Sequence, residues 1–397
     1  MISMHRKVIY MLTIAVFFTA TSELVIAGIL NVLADQLHVS VALAGQLITV
    51  YSLAFAIGTP VIVSLTARMG RKKLLLLAMF VFIVGNLVSF VSSSFTLLIV
   101  SRMILGMSSG VLLVAAFSAA AKMVPPEKIG STMGTIILGF SSAMILGVPI
   151  GIALTHIFSW QMIFLFLAAG SFIIMIGMML MLPEIKGDAP VSFSRQFTIL
   201  ANPVILTALL LVLFREAGNS ILFTYLSSFL DTILHRSASD IGIIMLSFGI
   251  AGAIGSRIGG SAVDKWGSVP VMVISMIFHV VTLLLLPLAI HLFPLAIALL
   301  SMWIISMFIM GPATQSYFIA KAPQSSNLII SLNISVTQIG LASGASVGGM
   351  AATLNSTVLY NPWVASVALL IAFLAAIVSF QKSKMTQAIS VEKGYNL

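Results

Sequence analysis

Apolar runs of twenty or more residues, separated by short clusters of charge and turn formers, recur along almost the whole chain. A helix needs about 20 such residues to cross the hydrocarbon of a bilayer. The runs predict spans near 8–33, 41–66, 73–93, 96–121, 129–155 and 160–182, and again near 203–229, 239–262, 270–290, 293–319, 328–352 and 361–380. Between the two sets the polar stretch Pro183 to Arg195 interrupts the hydrophobicity. The expected fold is therefore an all-α membrane protein of twelve transmembrane helices in two six-helix halves. Residues 1–182 form the first half, 183–202 a linker, 203–381 the second half and 382–397 a tail. The first run continues from Val8 to about Leu33 without a small-residue cleavage site, so it is expected to remain as a span.

Composition removes the alternatives. Hydrophobic residues make up 60% of the 397 and charged residues only 7%, against roughly a quarter charged in soluble domains; no water-exposed domain can be built from this. The net charge of +9 is scattered in groups of one to four instead of forming a stripe, which argues against nucleic acid as a partner. Counted over alternate connections, the basic residues fall on one side: Arg6, Lys7, Arg68, Arg71, Lys72, Lys73, Lys122, Lys128, Lys186, Arg195, Lys265, Lys321, Lys382, Lys384 and Lys393. The other side has only Arg236. By the positive-inside rule both termini are expected in the cytoplasm, which needs an even number of spans. There is no cysteine, so disulfides and thiol chemistry are excluded. No phosphate-binding Gly–Lys loop and no His/Asp/Glu cluster with metal-ligand spacing is present, so neither an enzyme, nor a cofactor, nor a metal is expected.

The chain also resembles itself at an offset of 197. Leu37-His38-Val39-Ser40 lies over Leu234-His235-Arg236-Ser237, Gly45 over Gly242, Gly58 over Gly255, Arg68 over Lys265, Gly70 over Gly267, and Gly147 and Gly151 over Gly344 and Gly348. One offset surviving through corresponding spans points to duplication, a signature of transporters.

Particular motifs carry a family resemblance. Arg68-Met-Gly70-Arg71-Lys72, after span two, resembles the end of the major facilitator superfamily's Gly-x-Leu-Ala-Asp-Arg-x-Gly-Arg-Lys signature, with Val63 in place of its glycine and Ala67 in place of its aspartate. The second copy, ending at Gly267, keeps the acid as Asp264. Arg102-x-x-x-Gly106-x-x-x-Gly110 resembles the second signature; the i, i+4, i+8 spacing puts all three on one helix face, where another helix can approach. Gly147, Pro149 and Gly151 in span five are similar to the motif associated with export. Thr21-Ser22-Glu23-Leu24 and Pro312 to Tyr317 look most like bacterial purine-base efflux permeases, with sugar-efflux and multidrug permeases close behind. The resemblance implies a proton antiporter in the bacterial inner membrane, a charge latch around Arg68, Gly70, Arg71 and Asp264, and a coupling role for Arg102.

Ionisable groups inside a bilayer cost about 2.5–3.5 kcal/mol each at the centre. Glu23 lies 16 residues after Lys7 and 12 before Asp35, or about 24 and 18 Å along a helix. It is the first candidate for a proton carrier, against a structural carboxyl satisfied by Thr19 or backbone. Glu216 is the second; with Asn219, Ser220 and Phe223 it follows helical spacing and forms one polar face. The adjacent Arg215 is about 100° away, so the two charges are expected not to enter one pocket; the alternative to a cavity role for Glu216 is a structural Arg–Glu network. Arg102 is a candidate holder of Glu23 in its charged form. A lone intramembrane histidine such as His279 is more often hydrogen-bonded structure than a relay.

A cavity for a flat organic molecule needs rings and sparse polar groups, which Tyr51, Asn219, Phe223, Tyr225 and Gln338 are candidates to supply. The expected function is proton-coupled efflux of a small molecule, a purine base or nucleoside, a sugar or a drug, by alternating access. The alternative is a proton-independent facilitator or an uptake symporter of the same fold. The expected partners are that substrate, protons and the lipid bilayer, with the chain acting as a monomer.

Overall fold

The computed structural model describes residues 2–125, 129–187, 201–321 and 326–394. Most of the expected linker, with Arg195, and Lys128 lie outside the described residues. The described residues hold helices and no strands. We number the long helices α1 (Ile2–Gly28), α2 (Val41–Leu65), α3 (Arg71–Phe90), α4 (Phe95–Met123), α5 (Ile129–Ser142, continued to Ile157), α6 (Gln161–Met181), α7 (Pro203–Phe223, continued to Ile233), α8 (Ala238–Trp266), α9 (Ser268–Leu285), α10 (Phe293–Lys321), α11 (Ser326–Asn355) and α12 (Asn361–Gly394). Among the described residues eleven are long and apolar enough to cross a membrane. The twelfth, α11, has 30 residues, about 45 Å of helix; Asn333, Gln338 and its serines and glycines lower its hydropathy. Large apolar side chains face outward, with Leu65, Leu180 and Leu354 at least 80% exposed, as on a surface set against lipid.

Several ends differ from the sequence expectation. The first span breaks at Ile29 and resumes as a short helix, Leu30–Gln36. Its counterpart α7 breaks at Thr224 and Tyr225 and resumes at Leu226. Both then end on a left-handed histidine, His38 at φ 54° and His235 at φ 52°, 197 residues apart. Ser40 and Ser237 follow as hydroxyl acceptors for the amides of Leu43 and Asp240, at 3.1 and 3.2 Å. The repeat thus extends to backbone conformation and capping. At the other end α12 runs past the expected span to Gly394, because residues 381–393 are rich in helix formers and contain neither glycine nor proline.

Two compact units share the chain: residues 1–191 with 223–250, and 192–222 with 251–397. In the first, small residues set the packing. A Cβ at Gly106 would strike the Tyr51 carbonyl, and one at Gly110 the Thr59 hydroxyl, so α4 lies directly on α2. Gly139 and Gly147 meet Thr13 and Thr21 in the same way, bringing α5 onto α1. Pro149 has no N–H, so the Ile145 carbonyl lacks its ordinary donor four residues on. The helix answers with a π turn over Ala143–Gly147, closed by Val148 N–H to the Ala143 carbonyl. Residues 223–250 join this unit through Ser227, whose hydroxyl donates to the Ala27 carbonyl at 2.5 Å, and Gly249, which packs on Ile145.

In the second unit, Gly255 and Gly259 of α8 lie on the carbonyls of Ile305 and Ile309 in α10, while Gly340 and Gly344 of α11 lie on those of Leu213 and Ala217 in α7. A core built around Val212, Met272, Met310, Tyr317 and Ala372 fills the space between these helices.

Candidate transport site

Arg102 is the largest charged side chain with no solvent exposure. The Gly106–Gly110 face that seats α4 on α2 carries it to the same interface, one turn earlier. There Nη1 donates to the Ser22 carbonyl at 2.7 Å and Nε to the Leu47 carbonyl at 3.3 Å, and the guanidinium lies 4.2 Å from the centre of the Tyr51 ring. Tyr51, itself fully buried, donates to the Thr19 carbonyl at 3.4 Å. Nη2 of Arg102 is buried and has no hydrogen-bond partner. Glu23 is 6% exposed and lies within electrostatic reach of both Arg102 and Tyr51. The sequence paired Arg102 with Glu23 and nominated Tyr51 apart from them, as a cavity residue; the fold brings all three together.

The second unit holds a polar chain. Arg215 and Glu216, adjacent in sequence, form an ion pair through Nε and Nη2 to Oε1, with the Nε contact at 2.9 Å. The expected divergence of the two is overturned, because the arginine stem is long enough to bring its head back along the helix. Arg215 Nη1 donates to Thr314 Oγ1 at 2.8 Å, and Asn219 Nδ2 reaches Glu216 Oε2 at 3.5 Å. The amide oxygen of Asn219 accepts from His279 Nε2 at 2.9 Å, since an amide oxygen has only lone pairs to offer. His279 is fully buried and ties α9 to α7. Gln338, on α11, is also buried in this unit.

Tyr225 and Phe223 belong to the first unit, where the Tyr225 ring closes over Gly45; a Cβ there would overlap its hydroxyl. Gly70 and its repeat partner Gly267 serve different needs. Gly267 sits at φ 78°, open to glycine and strained for other residues. Gly70 has an ordinary φ of −57°, and a Cβ there would sit 3.3 Å from the Ile185 carbonyl. That carbonyl accepts from the Arg71 amide at 2.8 Å, and Lys122 Nζ donates to the Lys186 carbonyl at 2.8 Å, so the segment leaving α6 lies across the α2–α3 loop. Arg71 is buried, while Arg68 and Asp264 are exposed, with no ion pair to either among the described residues.

Two charge clusters, buried or nearly so on membrane-spanning helices, are costly to keep and mark candidate functional sites; comparison with known proteins supplies the family. The Major Facilitator Superfamily profile matches residues 12–345. The chain belongs to this superfamily. This superfamily member is thus a multi-pass membrane transporter and not an enzyme. The uncharacterized MFS-type transporter YbcL of Bacillus subtilis strain 168 is 35% identical over 372 residues, covering 94% of this chain and 95% of that one. The uncharacterized MFS-type transporter YtbD of the same organism is 28% identical over 358 residues, covering 89% and 90%. Among solved structures, a bacterial homologue of the human lysosomal transporter Spinster aligns with a TM-score of 0.77 at 15% identity, over 96% of this chain and 97% of that one. The D-xylose–proton symporter aligns with a TM-score of 0.76 at 16% identity, over 94% and 96%. These two share the fold.

Proposed function

We propose that this transporter exports a small organic molecule in exchange for protons, from the inner membrane of a bacterial cell with both termini in the cytoplasm. The observation that carries the reading is Arg102 beside Glu23. A buried guanidinium with both N–H donors of Nη2 uncommitted is a ready partner for a carboxylate, and stabilises the charged form of an acid that burial disfavours. Glu23 then has two states: ionised and held by Arg102, or protonated and released. A proton entering from the acidic side and a substrate arriving from the cytoplasm compete for that state, and each favours a different face being open.

Glu216 has a different part in this reading. Arg215 compensates its charge directly and holds α7 to α10, so Glu216 and Asn219 orient cargo, with Asn219 tying α7 to α9, while Glu23 carries the proton. Tyr51, Phe223, Tyr225 and Gln338 are the ring and amide groups offered to substrate. The π turn that ends at Gly147, just before Pro149 and Gly151, is the flexible point at which α5 shifts on α1; Gly70 and the Arg71 amide hold the loop after α2 against the segment leaving α6, and Arg68 and Asp264 are the exposed charges offered for a latch. The cargo is a purine base or nucleoside, a sugar, or an amphipathic drug.

Efflux from preloaded proteoliposomes under an imposed pH gradient tests this, with adenine, hypoxanthine, arabinose and a cationic dye as parallel probes. One of them should leave faster when protons flow inward, and Glu23→Gln should remove that acceleration while some substrate binding remains. A gradient-independent flux of all four in the native protein would sink the proton coupling and leave facilitated transport.

A further inference from the structure

The ends of α1, α5 and α7 and the beginning of α8 enclose a cavity of about 260 Å3 within the first unit. Glu23, Arg102 and Tyr51 do not line it. Its wall is mostly apolar, with Ile29, Ile152 and Ile241 among the side chains, and it carries one carboxylate, Asp231. Asp231 Oδ2 accepts from Asn31 Nδ2 at 2.6 Å. Among the described residues no lysine or arginine lies within ion-pair distance of it, and His156 is the only other titratable group on the wall. Thr155 Oγ1 spends its proton on the Gly151 carbonyl at 2.9 Å, so the oxygen it shows the cavity is an acceptor.

A carboxylate without a counter-cation, set in an apolar wall beside a hydroxyl acceptor, selects a ligand by charge and shape together. An anion is repelled, and a neutral molecule leaves the carboxylate unanswered. A metal ion would want several oxygen ligands, and no group of three ligating side chains is present among the described residues. The volume is below the roughly 300–1,000 Å3 of drug-sized sites.

We propose that this cavity binds a small organic cation, a protonated amine with a compact apolar or aromatic body. The ammonium sits between Asp231 and Thr155, and the body packs on the isoleucines. Asp231 and Ala238 are exposed, so the site opens to water.

Because the chain has no cysteine, Ala238→Cys on the cavity wall supplies a single thiol whose maleimide alkylation reports occupancy. Benzylamine at a few times its Kd should slow alkylation of the protein in nanodiscs by about threefold or more, following 1 + [L]/Kd. Benzyl alcohol, of the same shape without the charge, should not. Adding Asp231→Asn should abolish the protection, and Asp231→Glu, which keeps the charge, should retain it and verify that substitution here leaves the fold intact. No slowing by benzylamine, equal slowing by the alcohol, or protection that survives Asp231→Asn would each overturn the assignment. No transport is measured, so the result stands apart from the exporter reading.

Discussion

Asn31, on the short helix that continues α1, accepts a hydrogen bond through Oδ1 from the hydroxyl of Ser228 on α7, and these two residues are 197 positions apart, the spacing at which the sequence repeats. The same amide donates to Asp231 at 2.6 Å, so both ends of one side chain are committed.

Asn31→Ala and Ser228→Ala should therefore be non-additive. Each single substitution loses the shared bond, and the double loses it only once. A coupling of about 1 kcal/mol is expected in unfolding measurements on the four proteins of the cycle. Additive effects would mean that the contact contributes nothing.

Glu216→Gln and Glu23→Gln should fail in different ways. The first leaves Arg215 as a buried cation whose carboxylate is gone, a change that costs about 3–5 kcal/mol when one partner of a buried pair is removed. A large fall in thermal stability is expected, with much of it restored by adding Arg215→Met. Glu23→Gln should stay folded and lose the response to a pH gradient. Equal stability of the two variants would contradict the assignment of their roles.

Arg102→Lys keeps the charge and loses the geometry. One ammonium cannot reach the Ser22 and Leu47 carbonyls at once while lying flat over Tyr51. The loss of one charge-assisted bond predicts a destabilisation of about 2 kcal/mol, read as a lower melting temperature, and a slower transport rate at unchanged expression.

Glycines in this chain divide by what a Cβ would meet. Gly106→Ala drives a methyl into the Tyr51 carbonyl and should force α4 off α2, with loss of folded protein on size-exclusion chromatography. Gly134 has nothing within 4 Å of a Cβ, so Gly134→Ala should be neutral or stabilise by up to about 1 kcal/mol through helix propensity.

The long helices, eleven of them apolar enough to span a membrane, the repeat and the Arg102–Gly106–Gly110 face were legible because each is written in local spacing: run length, a fixed offset, a period of four. The candidate site was legible only in part. Charges at hydrocarbon depth announce Glu23, Arg102 and Glu216, since few residues there are ionisable. The Arg215–Glu216 pair was only the alternative reading, because helix angles locate Cβ atoms and not the end of a long arginine. Asn31 and Asp231 were passed over altogether, as polar residues near a span end look like ordinary interface.

From the sequence alone come the membrane, the long helices and the 197-residue offset, because burial in lipid forces long apolar segments and a shared turn such as that at His38 and His235 uses the same residues in both places. Tertiary structure decided which polar groups meet. The Ser22 and Leu47 carbonyls that receive Arg102, the Asn219 amide that reaches His279, and the wall around Asp231 all come from segments distant in the chain. Such partners are fixed by how glycine-lined helices close on one another, which no local pattern records.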